Sequence, residues 1–256
     1  MDLGLKGKKA IVTGGTRGIG RAIAETLAAE GADIAICACK QNELDEAVPA
    51  LASRGVRAIG GAVDIADGPA LKAWIGKVAG ELGGLDILVC NASALAQGNT
   101  EQAWADMFAI DVMGVQRAID AALPHLTEAA KKSGDASVTI ISSVSAAETS
   151  NANSYGALKA AQIHFAKGLA KENAKNHVRI NVVSPGTVYF KGGVWNMIEQ
   201  GMPDMFKATM ARNPMGRMAS PQDIANATAF LSSPASSFTT GINMVVDGAI
   251  TSRVNF

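Results

Sequence analysis

The chain has 256 residues, enough to close one hydrophobic core, and single α/β domains of this size are common. Its 23 basic and 23 acidic side chains cancel, with no dense block of either sign, which argues against capture of nucleic acid or of an acidic membrane. Three cysteines (Cys37, Cys39, Cys90) without a Cys-x-x-Cys pair fit buried thiols in a reducing, cytoplasmic compartment better than a disulfide or zinc framework.

Residues Met1 to Lys9 mix small, charged and apolar types and hold no signal-peptide core. No apolar run approaches the ~20 residues of a membrane-spanning helix. Beyond them, short apolar runs alternate with helical patterns, as repeated strand–helix–strand units do. The predicted strands are Ala10–Thr13, Ile34–Cys39, Arg57–Val63, Ile87–Cys90, Ser137–Ser142, Arg179–Val183 and Met244–Val246. Most are continuously apolar, as strands covered on both faces are. The predicted helices between them are Gly20–Glu30, Asn42–Arg54, Pro69–Leu82, Gln102–Leu123, Ser154–Asn176 and Pro221–Leu231, the last opened by a Ser220-Pro221 cap. No linker divides the chain, so one domain over residues 1–256 is expected.

The first strand runs straight into Thr13-Gly14-Gly15-Thr16-Arg17-Gly18-Ile19-Gly20 and then an amphipathic helix. Glycines there let the backbone approach a pyrophosphate, and the helix N-terminus offers free N–H groups. A tight structural turn also needs glycine. The position between first strand and first helix of a βαβ series favours a dinucleotide. The acid that grips the ribose 2′-hydroxyl is expected at the end of the second strand, yet Ile36 to Asn42 contains no carboxylate. Arg17 and Lys40 are then placed to pair with a 2′-phosphate, which favours NADP(H) over NAD(H). Solvated surface cations would look the same.

Further along, Ser142-Ser143 ends the fifth strand at the carboxyl edge of the sheet, where open α/β proteins bind ligands. A serine there can donate to a substrate carbonyl, and Ser143 is preferred to Ser142. The next helix carries Tyr155 and Lys159 four residues apart, on one face. A phenol is a poor acid–base catalyst at neutrality; an ammonium at about 4 Å favours its ionised form by on the order of 4 kcal/mol at an effective dielectric near 20. The stretch from Gly186 to Arg217 breaks the rhythm, with Pro203, Pro214 and a run of Trp195, Met197, Met202, Met205, Phe206 and Met210. Residues 187–217 are therefore expected to form a lid over the site. Those apolar side chains suit either a hydrophobic substrate or a packing face.

Taken in order, these pieces resemble the short-chain dehydrogenase/reductase family over essentially the whole chain. The matching motifs are the turn Thr13–Gly20, Asp64 after the third strand, Asn91-Ala92-Ser93 after the fourth, Ser143, the Tyr155-xxx-Lys159 pair and Ser184-Pro185-Gly186-Thr187. The resemblance implies a Rossmann-type, doubly wound parallel sheet of about seven strands with helices on both faces. It also implies hydride transfer between a nicotinamide and a carbonyl/alcohol pair, with Tyr155 exchanging the proton. Gly14, Thr16, Arg17, Gly18, Ile19, Gly20 and Lys40 would hold the phosphates. Asp64 with Ile65 would face the adenine, and Asn91 with Ala92 would line the trough. Lys159 would also hold the nicotinamide ribose beside Tyr155. Pro185, Gly186, Thr187 and Val188 would cradle the nicotinamide end. A homotetramer or homodimer is expected.

Two positions depart from the family pattern. Ser93 stands where a glycine is usual, a small change. Asp111 stands where a catalytic asparagine is usual. The asparagine supports a relay water partly through its main-chain carbonyl, which an aspartate keeps; a carboxylate near Lys159 can instead form an ion pair. His125, His164 and His177 share no metal-ligand spacing, and no metal is expected. Asp120, Glu128 and Asp135 do not suggest a two-carboxylate hydrolase. The expected activity is an NADPH-dependent ketone or 3-oxoacyl reductase. The alternatives are an NAD-linked secondary-alcohol dehydrogenase working oxidatively and, from another class, a dinucleotide sensor without turnover. A sensor has no use for the Ser143, Tyr155 and Lys159 set.

Overall fold

Side chains alternate along β1 (Lys9–Thr13): Ala10 and Val12 enter one apolar layer and Ile11 the other, and all three are fully buried. A strand buried on both faces needs helices above and below it. The remaining strands are β2 (Asp33–Ala38), β3 (Ala58–Ala62), β4 (Ile87–Cys90), β5 (Ala136–Ile141), β6 (Val178–Pro185) and β7 (Asn243–Val246). The helices are α1 (Gly18–Ala29), α2 (Gln41–Ala52), α3 (Gly68–Leu82), α4 (Glu101–Met107), α5 (Val115–Ser133), α6 (Ser154–Asn173), α7 (Val194–Gly201), α8 (Pro203–Ala211) and α9 (Pro221–Ser232). These come from a computed structural model that describes residues 2–149 and 151–254.

All pairings are parallel, and the strand order is β3-β2-β1-β4-β5-β6-β7. Leu27 of α1, Leu44 of α2 and Ile224 of α9 pack on one face; Ile75 of α3, Ile119 of α5 and Ala166 of α6 pack on the other. This is the doubly wound α/β architecture, in one domain. The order reverses between β1 and β4, and the carboxyl ends of those strands open the crevice where such sheets bind ligands. The opposite edge is closed by Arg179, which pairs with Asp135 (Nε–Oδ1 2.6 Å) and donates to the carbonyls of Leu231 and Ser233.

Two stretches differ from their sequence reading. The helix expected over Gln102–Leu123 runs on to Ser133, through Pro124, with a wider π-helical turn at Phe108–Gly114 between α4 and α5. The hydrogen bond that Pro124 cannot make would go to the carbonyl of Asp120, an exposed residue whose carbonyl water can satisfy. The second is the stretch 187–217, for which no helix is predicted from the sequence and which carries α7 and α8. Tyr189 holds them together. Its hydroxyl donates to Glu199 Oε2 at 2.5 Å and accepts from Asn196, both in α7, while its ring meets Phe206 of α8 edge-on at 6.0 Å.

Candidate active site

A cleft of about 630 Å³ opens along the carboxyl ends of β1, β2, β4 and β5. Its floor is the glycine turn. Gly14 (φ +65°) and Gly18 (φ +55°) are in the left-handed region, which favours glycine. A Cβ at Gly20 would collide with the Gly14 carbonyl and the Asn91 amide. Arg17 precedes α1 without a side-chain cap, so the first N–H groups of that helix face the cleft unclaimed. Asn91 fixes the turn from β4: its Nδ2 donates to the carbonyls of Thr13 (3.0 Å) and Gly14 (3.1 Å). Phe190, from the segment before α7, leans over Gly18.

The other end of the cleft is built by β5 and α6. Asn153 caps α6 by accepting the Gly156 N–H at 2.7 Å. A Cβ at Gly156 would meet the Ser145 carbonyl at 2.6 Å, so glycine there lets the turn after β5 press against α6. That contact brings Ser143, Tyr155 and Lys159 into one wall of the cleft. The two adjacent serines differ. Ser142 Oγ donates to the Lys159 carbonyl at 2.9 Å, which ties β5 to α6. Ser143 Oγ accepts the Ser145 N–H at 3.1 Å, which leaves its own O–H to donate.

Lys159 is buried, and its Nζ donates to the Ile141 carbonyl at 2.9 Å while lying 5.8 Å from the centre of the Tyr155 ring. Its third neighbour is Asp111 Oδ1, at 2.9 Å. Asp111 is fully buried in the π-helical turn, and its Oδ2 accepts the Ala94 N–H at 2.9 Å. A widened turn of this kind re-aims one side chain out of helical register. The Asp111 carbonyl, which the relay reading relies on, accepts the Gln162 amide at 2.7 Å. Of the two arrangements open from sequence, the geometry is the ion pair.

Gly14, Thr16, Arg17, Gly18, Ile19, Gly20, Lys40, Ile65, Asn91, Ala92, Pro185, Gly186 and Val188 line the cleft together with Ser143, Tyr155 and Lys159. Asp64 and Thr187 are not among its lining residues. Asp64 accepts the Ala66 N–H within its own turn, and Thr187 donates to Asn213. Asp111 lies behind Lys159. Glu43 was missed. It sits in the first turn of α2 and reaches the cleft beside Thr16 and Lys40, one residue past the window in which an acid was sought. Phe190 was missed too, since nothing local marks it out from the other aromatics of residues 187–217.

The three acids set aside from sequence are taken up structurally. Asp120 accepts from Gln116, Glu128 pairs with Lys131, and Asp135 with Arg179. Burial pushes the Cys37 and Cys90 thiols up to about 12, so neither is a thiolate nucleophile. No group of three potential metal ligands occurs among the described residues. Nor is any described helix long and apolar enough to cross a membrane.

The family model described as enoyl-(acyl carrier protein) reductase matches residues 14–251. Isoepoxydon dehydrogenase patN of Penicillium expansum is 37% identical over 256 residues, covering 98% of this chain and 97% of that one. The chain belongs to the short-chain dehydrogenase/reductase family. As a short-chain dehydrogenase/reductase it is an NAD(P)-dependent oxidoreductase acting on an alcohol/carbonyl pair. Among other members, the 3-oxoacyl-[acyl-carrier-protein] reductase FabG of Escherichia coli is 33% identical over 252 residues (97% of this chain, 99% of that one). The L-sorbose reductase of Gluconobacter frateurii, solved with NADPH and L-sorbose, superposes with a TM-score of 0.90 at 30% identity, covering 99% of this chain and 100% of that one. Strands β2 to β7, the turn from Gly14 onward and the Tyr-xxx-Lys helix thus lie within the stretch that the family model matches.

Proposed function

We propose that this protein reduces a ketone or 3-oxoacyl group with NADPH, using Ser143, Tyr155 and Lys159. The observation that carries this reading is the shared wall: the serine hydroxyl, the phenol and the buried ammonium line the same cleft as the glycine turn. The cleft suits a dinucleotide. Its floor has no room for side chains at Gly18 and Gly20, its volume is that of a ligand site, and unclaimed helix N–H groups meet it. Gly14 to Gly20 with Asn91 and Ala92 would hold the phosphates and ribose, Ile65 would border the adenine, and Pro185, Gly186 and Val188 would flank the nicotinamide. When bound, the cofactor supplies a hydride to the carbonyl carbon.

The chain's own residues do the rest. Ser143 donates a hydrogen bond to the carbonyl oxygen and orients it. Tyr155 gives that oxygen its proton, and the Lys159 ammonium stabilises the phenolate left behind. Asp111 acts through its carboxylate, fixing the Lys159 ammonium at the end of β5. Asp64 and Thr187 act by shaping the loops behind the cleft. Residues 187–217 form the lid, with Trp195 and Met197 as an apolar wall toward the substrate.

Use of NADP(H) is supported by Arg17 and Lys40 in the cleft and by the NADPH of the sorbose reductase complex. Self-association with further copies, as a homotetramer or homodimer, is supported by Trp104, Phe108 and Phe165, which lie exposed on α4, the turn after it, and α6. The cysteines are free, as a reducing compartment keeps them, which supports a cytoplasmic location. NADPH and NADH oxidation across a panel of ketones and 3-oxoacyl thioesters tests the reading. Tyr155→Phe is expected to lower kcat by about a thousandfold without lowering Tm. A rate indifferent to that change rejects the assignment.

A further inference from the structure

The acid missing from the end of β2 arrives from the next element. Glu43 Oε2 accepts the Thr16 hydroxyl at 2.8 Å, and Oε1 stands 3.7 Å from Lys40 Nζ. All three residues line the cleft beside Arg17 and Cys39. The Lys40 side chain is 72% exposed and that of Glu43 only 32%, so the carboxylate is the better fixed of the two charges. Its field reaches the strand end: the Cys39 thiol is pushed up by burial first, then by Asp64 and Glu43.

We propose that Glu43 is a specificity-determining residue that limits preference for the 2′-phosphorylated dinucleotide. The proposal rests on the dinucleotide reading above. A 2′-phosphate at this end of the cleft needs donors, and two of those lining it, Thr16 and Lys40, are already engaged by Glu43. To use them a phosphate must displace the carboxylate and then tolerate it alongside. An unphosphorylated ribose meets the opposite situation, because Glu43 offers its hydroxyl an acceptor in place of the missing acid of β2. Arg17 remains available to a phosphate, and partial exposure screens the repulsion. The result is a moderated preference instead of exclusion of either cofactor.

Glu43→Gln isolates the charge, because glutamine keeps the length of the side chain and a carbonyl acceptor for Thr16. The full chain and this variant are titrated with NADPH and NADH by nicotinamide fluorescence, and with adenosine 2′,5′-bisphosphate and 5′-AMP as adenine-end probes. The expected result is about tenfold tighter binding of NADPH and of the bisphosphate, with 5′-AMP and NADH unchanged or weaker. A ratio of NADH to NADPH dissociation constants within about twofold of the wild type overturns the proposal, as does an equal gain for both cofactors. Glu43→Ala, read by the same ratio, takes over should the glutamine variant fail to fold. A wild-type chain that binds neither dinucleotide overturns the dinucleotide reading and this proposal with it. A wild type that binds both, with an unmoved ratio in the variants, overturns this proposal alone.

Discussion

Lys159 Nζ lies 2.9 Å from Asp111 Oδ1, with both side chains sealed from solvent at 3% and 0% exposure. A buried charge pair adds little net stability by itself, yet removal of one partner strands the other in a medium that cannot solvate it, at about 3–5 kcal/mol. The Ala94 N–H would lose its acceptor at the same time. Asp111→Ala is therefore expected to lower Tm by about 6–20 °C for a domain of this size, measured by thermal melting. Asp111→Asn keeps one oxygen, enough for the Ala94 N–H or the ammonium but not both, and removes the charge as alanine does, so it is expected to lose nearly as much. An asparagine variant that melts with the wild type contradicts the ion-pair account.

The neighbouring serines separate chemistry from architecture. Ser143→Ala removes the donor to the substrate oxygen together with the acceptor of the Ser145 N–H, and is expected to cut kcat about a hundredfold at a stability cost of about 1 kcal/mol or less. Ser142→Ala removes the bond to the Lys159 carbonyl, costing about 1 kcal/mol of stability with kcat affected far less. Steady-state kinetics and melts of both proteins decide it, and a reversed pattern assigns the roles the other way.

Trp195 and Met197 line the cleft from α7. Truncation of a contacting aromatic forfeits roughly 1.5–3 kcal/mol of apolar contact. Trp195→Ala is expected to raise KM for a bulky apolar ketone about tenfold and to leave the KM of NADPH within about twofold. A change confined to the cofactor's KM shows that α7 guards the dinucleotide and not the substrate.

At the start of α9, Asp223 accepts from Arg217, from the Ser220 backbone N–H and from the Ser220 hydroxyl, which holds its carboxyl well below the usual carboxylate range. A carboxyl depressed in the folded state stabilises the fold above its unfolded value of about 4, and that contribution fades as pH falls toward the folded value. Asp223→Asn is expected to cost about 1 kcal/mol, most of it the capping box, because the ion pair with Arg217 is half exposed. The difference from wild type should be level between about pH 8 and pH 5 and shrink below about pH 4. Melts across that range check it; a gap that widens in acid contradicts the sign.

Several features lay within reach of the sequence because short segments encode them. Continuous apolar runs located every strand to within a residue or two, as at β4, where Ile87–Cys90 is both the expected and the observed span. The glycines of the turn and the four-residue spacing of Tyr155 and Lys159 are likewise readable without a partner segment. Helix boundaries were less secure. Pro124 ended the expected helix at Leu123, although an exposed proline within a long amphipathic helix is tolerated when water serves the freed carbonyl.

The site's finer arrangement was not readable, because it depends on how elements rotate and slide against one another. From sequence, Asp111 reads as a relay support, with an ion pair to Lys159 as the alternative; the π-helical turn that aims it at Lys159 has no strong local signature. Glu43 was not singled out from sequence; the packing of α2 on β2 and β3 carries it to Thr16.

By itself, then, the sequence determined the layering of the fold, the glycine turn and the tyrosine–lysine pair, since periodicity and close spacing are properties of a local segment. Only the tertiary structure decided which serine is spent on Lys159, which carboxylate neutralises that lysine and which acid lines the cleft beside the glycine turn. Those contacts join residues far apart in the chain, and the sheet register and helix docking that bring them within hydrogen-bond reach belong to the packed core as a whole.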